Sequence, residues 1–83
     1  MSEIQKLLPK VDECSQLYET ERQRTQNSPE ESWIIDQMRS ILIKTILYCE
    51  SKDARFPDVL EGYIEEFNLG YRVLQEYRAI KKR

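Results

Sequence analysis

The fold is decided by residues 28–50, which read SPEESWIIDQMRSILIKTILYCE. Ser28 is followed directly by Pro29 and, three residues later, by Glu31. Serine caps the first turn of a helix, proline fits the first helical position, and the glutamate completes a capping box. The pattern therefore predicts a helix that begins at Pro29 and runs to about Glu50.

The core-facing residues of this helix cover a broad arc of its surface, about 160° at 100° per residue. They are Ile34, Ile35, Met38, Ile41, Leu42, Thr45, Ile46, Tyr48 and Cys49. Trp33, Ile43 and Leu47 lie outside the arc, so the helix is apolar on more than one side, as is typical of the central helix of a bundle. These three residues either pack inside the molecule or a dimer, or form an exposed anchor for another protein.

A helix from about residue 3 to residue 26 is predicted before this one. Ser2 and Gln5 have the spacing of a capping box. The apolar stripe consists of Ile4, Leu7, Leu8, Val11, Cys14 and Tyr18. Pro9 lies opposite the stripe, so it either kinks the helix or occupies the first turn of a helix that begins near Leu8.

A third helix is predicted from residue 57 to residue 81. Pro57 and Asp58 suit a helix start. Its stripe consists of Val59, Leu60, Tyr63, Ile64, Phe67, Tyr71, Leu74 and Tyr77. The stripe keeps one phase across Gly70, which favours one long helix. A bend at residues 68–70 is the alternative.

The predicted fold is all-α, a three-helix antiparallel bundle in a single domain, with a dimer as an open alternative. A chain of 83 residues with 2 glycines and 3 prolines has too few turns for an all-β fold. Cys14 and Cys49 fall on apolar stripes and are expected to be buried free thiols, with a disulfide between them as the alternative if their backbones meet at the right distance. The expected core residues are Val11, Met38, Ile41, Leu42, Leu60, Ile64, Phe67 and Leu74.

The composition argues against the familiar catalytic and metal sites. The chain has no histidine, which removes Ser-His and Cys-His pairs and the common zinc and di-iron helix motifs. The carboxylates Asp58, Glu61 and Glu65 are interpreted as a solvated acidic face near a helix start. We expect no catalytic residue, no metal site and no cofactor.

Charge and hydropathy limit the expected partners and location. The net charge of −2 provides no general field for nucleic acid, so nucleic acid is not the expected partner. No apolar run approaches the length of a membrane span. Residues 1–10 lack the basic start and apolar block of a signal peptide, and the cytoplasm is therefore the expected location.

The C-terminal part of the third helix offers an alternative function. Residues 72–83 carry Arg72, Arg78, Lys81, Lys82 and Arg83 against Glu76. This charge complements the helix dipole. If a turn formed near residue 69, however, Arg72 and Arg78 would be exposed on the recognition helix of a helix-turn-helix. The bulky residues at positions 63 and 64 depart from that motif, which needs a small residue in its first helix.

Residues 48–67 read YCESKDARFPDVLEGYIEEF and resemble the helix–loop–helix of the enterocin-type bacteriocin immunity proteins. The resemblance covers about a quarter of the chain and rests on apolar spacing. It implies a small cytoplasmic antiparallel helical bundle. We transfer no residue role on this basis.

These observations together predict a small non-catalytic helical protein–protein interaction module, such as an inhibitor, an adaptor, or an immunity or antitoxin-like regulator. The alternative is a helix-turn-helix-like DNA-binding regulator that uses the basic C-terminal helix. The expected partner is another protein, and a homodimer remains open. The candidate partner-binding residues are Trp33, Ile43, Leu47, Tyr71, Tyr77, Arg72 and Arg78.

Overall fold

The architecture is that of a bundle of three α-helices. The structure is a computed structural model that describes residues 3–24, 26–51 and 55–81. Across these ranges the chain forms no strand, and its helices are α1 (Glu3–Arg22), α2 (Pro29–Glu50) and α3 (Pro57–Lys81). Each helix packs against the other two, and the contact between α2 and α3 is the most extensive. The predicted all-α three-helix bundle is confirmed.

Contacts at the two ends of the bundle show that neighbouring helices alternate in direction. At one end, Arg78 near the end of α3 bonds to Glu31 in the first turn of α2 and to Glu21 in the last turn of α1. At the other end, the ring of Tyr48 near the end of α2 meets the ring of Tyr63 edge-on, with centroids 6.1 Å apart. Helices α1 and α3 therefore run in one direction and α2 in the other.

The start of α2 has the predicted capping box. The hydroxyl oxygen of Ser28 accepts a hydrogen bond from the backbone N–H of Glu31 at 3.2 Å. The backbone N–H of Ser28 donates to the Glu31 carboxylate, also at 3.2 Å. Pro29 occupies the first helical turn, where its missing N–H leaves no acceptor unpaired. Both bounds predicted for α2 are those observed.

Helix α1 ends at Arg22, four residues before the end expected from the sequence. The side-chain amide of Asn27 donates to the carbonyl oxygen of Glu21 at 3.0 Å, and the Arg24 N–H also donates to that oxygen at 3.3 Å. These bonds satisfy a carbonyl at the helix end and turn the chain toward α2. Because α1 begins at Glu3, Pro9 lies inside the helix and not in its first turn. The capping box expected at Ser2 lies outside the described residues.

The core is formed by residues from all three helices. They are Leu7, Val11, Cys14, Tyr18, Ile34, Ile35, Met38, Leu42, Leu60, Ile64, Phe67 and Leu74. Of the residues expected in the core, Ile41 differs, since it is half-buried at the edge of the α2–α3 contact. Leu8 and Val59, which the sequence places on the apolar stripes of the first and third helices, are exposed, and the prediction is wrong for these two residues.

The two cysteines are free thiols with different burial. Cys14 is buried, whereas Cys49 is half-buried and so departs from the prediction that both are buried. Burial, reinforced by the neighbouring Glu13, raises the pKa of Cys14 above its ordinary value. Burial and Glu50 raise the pKa of Cys49 in the same way. Both side chains are therefore protonated at neutral pH, which lowers their nucleophilicity.

Gly62 provides a test of the helical assignment of α3. A Cβ added there meets no atom within 4 Å. Since alanine loses less backbone entropy than glycine in a helix, we expect Gly62→Ala to raise the free energy of unfolding by about 0.5–1 kcal/mol. Thermal unfolding followed by circular dichroism should show a midpoint higher by about 2–8 °C. A lower midpoint would contradict the open surroundings of Gly62.

Candidate functional site

An apolar groove lies between α2 and α3. We call it the α2–α3 groove. It encloses about 290 Å³ and is lined by Trp33, Ile34, Gln37, Ile41, Glu66, Leu69, Gly70 and Val73. Nearly all of the lining surface is apolar, which is typical of sites that bind apolar side chains of a ligand or a protein.

Gly70 explains why the groove is open. A Cβ at this position would lie 3.2 Å from Cγ of Met38, so the two helices approach closely where α3 has no side chain. Met38 is completely buried beneath this point. Trp33 of α2 and Leu69 of α3 line the groove together with the glycine. The groove therefore follows from a glycine placed between bulky apolar residues.

The edges of the groove are unusually exposed for residues of their type. Trp33 is 66% exposed, Leu69 is 58% exposed and Val73 is 44% exposed. Single apolar residues on a surface need no explanation, but a contiguous group of large ones marks an interaction site. Ile80 is 68% exposed and lies two helical turns beyond Val73 on the same face, but it does not line the groove.

The three apolar residues outside the core-facing arc of α2 lie at separate places on the surface. Trp33, Ile43 and Leu47 are all exposed, so they do not complete the packing inside the molecule. Ile43 lies ten residues beyond Trp33, or about 15 Å along the helix axis, and neither Ile43 nor Leu47 lines the groove. The three therefore do not form one patch.

Leu69, Val73 and Ile80 are the site residues that the sequence analysis missed. They share one face of α3 at spacings of four and seven residues. This second apolar stripe is weaker than the longer stripe that forms the core, and the sequence analysis considered only the longer one. The structure brings two members of the second stripe, Leu69 and Val73, together with Trp33.

The two candidate tyrosines pack against the core and are half-buried. Tyr71 and Tyr77 both contact the buried cluster. The hydroxyl of Tyr77 donates a hydrogen bond to the Glu30 carboxylate at 3.3 Å. This bond joins α3 to the first turn of α2, one turn beyond the end of the groove at Val73. Tyr77 therefore helps to hold the two helices that form the groove.

The geometry required by the helix-turn-helix alternative is not formed. Helix α3 runs without interruption from Pro57 to Lys81, so residues 68–70 make no turn, and the continuity of the apolar stripe is confirmed. Arg72 is exposed. Arg78 was expected to be exposed on a recognition helix, but its side chain is only 16% exposed, because it is bonded to carboxylates of the other two helices.

Arg78 is the centre of a group of polar side chains that we call the ion cluster, formed by Glu21, Asn27, Glu31, Arg78 and Lys81. Nε of Arg78 donates to the Glu31 carboxylate at 2.7 Å, and Nη2 donates to Oδ1 of Asn27 at 3.0 Å. Nη1 of Arg78 bonds to the Glu21 carboxylate. Nζ of Lys81 donates to Glu31 at 3.1 Å. Both carboxylates are buried.

Hydrogen bonds from Arg78 and then from Lys81 hold the pKa of Glu31 at about 2, although burial acts in the opposite direction. No buried side-chain nitrogen or oxygen within the described ranges lacks a hydrogen-bond partner. Because its donors and acceptors satisfy one another, the ion cluster joins the three helices at one end of the bundle. The Arg78 guanidinium is occupied by three partners, whereas the Lys81 side chain remains half exposed.

The depressed pKa of Glu31 predicts a specific dependence of stability on pH. The pKa falls from its ordinary value of 4.5 to about 2 on folding. The contribution of Glu31 is therefore complete above the ordinary value and is lost as the pH falls from about 4.5 towards 2. We expect the free energy of unfolding, measured with urea, to fall more steeply across this window in the wild type than in Glu31→Gln.

Glu3→Gln is the matched control for this measurement, because Glu3 forms an exposed pair with Lys6 at 3.3 Å. Exposed pairs contribute little to stability, so this variant should follow the wild-type curve. Parallel curves for the wild type and Glu31→Gln would show that Glu31 is not stabilised in its ionised form.

Comparisons with known proteins add no relative to this description. A scan against protein-family models, a search of curated proteins and a search of solved structures each found no match. The resemblance of residues 48–67 to the immunity proteins is therefore not supported by a family match. In the part of the chain that the structure covers, no three metal-ligating side chains converge. Nor does any helix there have the length and apolar character needed to cross a membrane.

Proposed function

We propose that this chain is a non-catalytic interaction module that binds another protein through the α2–α3 groove. The observation that supports this proposal is the group of exposed large apolar side chains around the groove, led by Trp33 with Leu69 and Val73. Tryptophan is among the residues most enriched at the centres of protein interfaces. Inhibitors, adaptors and immunity or antitoxin-like regulators all act by this kind of contact.

The energetics of Trp33 favour a covered groove. A docked tryptophan side chain buries about 150–250 Å², and two-thirds of the Trp33 surface is exposed in the chain alone. Covering that part removes on the order of 100 Å² or more from water, which contributes about 2.5 kcal/mol or more. Leu69 and Val73 add to this contribution from the opposite edge. The groove can therefore anchor a partner without any charged contact.

DNA binding has no comparable observation in its favour. Arg78, which the alternative places on the DNA, is held by two buried carboxylates. Lys81 is bonded to one of them. Arg78 would have to leave the ion cluster in order to bind phosphate.

Photo-crosslinking tests the proposal directly. A photoreactive phenylalanine analogue is placed at position 69 in the cells that naturally produce the protein. We expect irradiation to yield one discrete adduct with another protein, because Leu69 lies at the edge of the groove. The same analogue at position 12, where Asp12 is exposed on α1, should yield none.

Three outcomes would contradict the proposal. Equal adducts at positions 69 and 12 would show non-specific contact, and the absence of any adduct would show that the groove has no partner. An adduct of twice the mass of the chain would identify a second copy as the occupant in place of another protein. Circular dichroism of both labelled proteins verifies that they remain helical.

A further inference from the structure

A second depression lies at the end of the bundle that carries the ion cluster, and we call it the end pocket. It encloses about 700 Å³. The side chains that line it are all polar or charged, in contrast to those of the α2–α3 groove. They are Gln23, Arg24, Gln26, Asn27, Glu31, Arg78 and Lys81. The volume falls within the range of about 300–1,000 Å³ that is typical of small-molecule sites.

The charges at the end pocket alternate along one chain of contacts that begins and ends with a cation. The order is Arg24, Glu21, Arg78, Glu31 and Lys81. The two carboxylates are buried, and the Arg78 side chain is only 16% exposed. By contrast, the Arg24 side chain is 56% exposed and that of Lys81 is 50% exposed. Cations therefore outnumber carboxylates in this chain, and both of its accessible ends are positive.

The two end cations keep hydrogen-bond donors that the protein does not use. Nε of Arg24 lies 4.0 Å from the Glu21 carboxylate, which is too long for a hydrogen bond. Its guanidinium donates to no other side chain among the described residues. Of the three N–H groups of Lys81, one donates to Glu31 at 3.1 Å. The accessible surface of the pocket therefore offers positively charged donors, which suit an anion with several oxygen atoms.

The backbone around Arg24 is fixed by local hydrogen bonds. The N–H of Arg24 donates to the carbonyl oxygen of Glu21 at 3.3 Å, and its own carbonyl oxygen accepts from the Asn27 side-chain amide at 3.4 Å. Asn27 is in turn held by Arg78, whose Nη2 donates to its Oδ1 at 3.0 Å. Arg24 is thus placed beside the pocket before a ligand arrives, which lowers the entropy lost on binding.

The charges next to the end pocket do not cancel its positive ends. Lys81 also attracts Glu30, but Glu30 does not line the pocket, and its carboxylate accepts the hydrogen bond from Tyr77. Counting Glu30 makes the numbers of carboxylates and cations equal. Lys82 and Arg83, which lie outside the described residues, follow Lys81 in the sequence and add two further positive charges.

We propose that the end pocket binds a phosphate monoester of a small organic molecule. The phosphate lies between the Arg24 guanidinium and the Lys81 ammonium, and the organic part lies against the side-chain amides of Gln23 and Gln26. A phosphate monoester carries a charge of about −1.5 to −2 at pH 7, so it balances two cations, whereas a carboxylate balances one. The guanidinium fork also matches pairs of phosphate oxygens. This site is separate from the α2–α3 groove and does not depend on the proposed function.

Nuclear magnetic resonance of the 83-residue chain tests the proposal, with ribose 5-phosphate, inorganic phosphate and ribose as the probes. We expect ribose 5-phosphate to shift the Nε–Hε resonance of Arg24 at low salt, with a Kd of about 1 mM. Inorganic phosphate should bind more weakly, because it lacks the organic part that contacts Gln23 and Gln26. Ribose alone should cause no shift. Raising the salt concentration should weaken the binding of both phosphates.

Two arginines near the end of α1 supply the matched variants. Arg24→Gln should raise the Kd for ribose 5-phosphate on the order of tenfold, because a charge-assisted contact is lost. Arg22 is as exposed as Arg24, but it contacts Glu19 and lines the depression between α1 and α2. Arg22→Gln should therefore leave the Kd unchanged. With both side chains more than half exposed, both variants should keep the wild-type unfolding midpoint. The phosphorus resonance of the probe measures the Kd of each variant.

Four outcomes would overturn the proposal. Equal Kd values for inorganic phosphate and ribose 5-phosphate would show an adventitious ion only. Equal effects of Arg24→Gln and Arg22→Gln would show general attraction by positive charge. A resonance of Arg24 that does not move at about 20 mM probe, well above the expected Kd, would show that no site exists. A DNA duplex that displaces ribose 5-phosphate, with an affinity that also depends on Arg24, would identify nucleic acid as the ligand.

Discussion

Arg78→Ala is expected to lower the free energy of unfolding by about 3–5 kcal/mol, because it leaves buried carboxylates without their main cation. Arg78 bonds at once to Glu21, to Glu31 and to Asn27. Lys81 still contacts Glu31, but among the described residues Glu21 keeps only Arg24, at 4.0 Å. Urea unfolding of the variant and the wild type at neutral pH measures the difference.

The control for Arg78 is another arginine–glutamate pair in the same chain. Arg22 contacts Glu19 at 3.3 Å, and both side chains are more than half exposed. Arg22→Ala should therefore change the free energy of unfolding by less than about 1 kcal/mol. A similar small change for Arg78→Ala would show that the ion cluster does not stabilise the bundle.

The loss caused by Arg78→Ala should also become smaller in acid. Unpaired carboxylates in a buried site take up protons more readily than paired ones, so Glu31 becomes neutral at a higher pH in the variant. A loss that stays constant down to about pH 3 would indicate that packing of the Arg78 side chain, and not its charge, is responsible.

Phe67→Ala is expected to lower the free energy of unfolding by about 3–5 kcal/mol. Phe67 is 1% exposed and is among the largest fully buried side chains, so its removal leaves a cavity between the helices. Native proteins have a total stability of roughly 5–15 kcal/mol, so the variant loses a large fraction of it and should unfold at a clearly lower temperature and urea concentration than the wild type. Thermal and urea unfolding followed by circular dichroism measure the loss.

Leu69→Ala is the matched control on the same helix, two residues further along. Leu69 is more than half exposed, and surface substitutions usually change stability by no more than about 0.5 kcal/mol. The pair of variants thus separates the core face of α3 from its groove face. If both variants lost similar stability, the assignment of Leu69 to an open surface would be wrong.

The sequence was sufficient to predict α2 and α3 because their signals are local. The capping box of Ser28 and Glu31 involves residues three positions apart, and Pro57 marks the start of α3 in the same way. The apolar stripes then predict which face of each helix is buried. The end of α1 was missed because it depends on the Asn27 side chain, which folds back on the last turn of the helix.

The ion cluster and the groove were not predictable from local patterns. Arg78 bonds to carboxylates that are 47 and 57 residues away in the chain. On its own helix it resembles any basic residue near a helix end. Glu21 and Glu31 likewise resemble solvated residues until a second and a third helix cover them. The groove depends on how α2 and α3 are rotated against each other at Gly70. The apolar pattern of one helix does not predict that rotation.

Polar contacts at one end of the molecule also favour one handedness of the bundle. Three antiparallel helices can wind around their common axis in either of two mirror-related arrangements. In the opposite arrangement the flank of α3 that carries Tyr77 and Lys81 would face α1, and their bonds to Glu30 and Glu31 of α2 would be lost. Directional polar contacts at one end of the molecule thus favour the observed chirality together with the packing of the core.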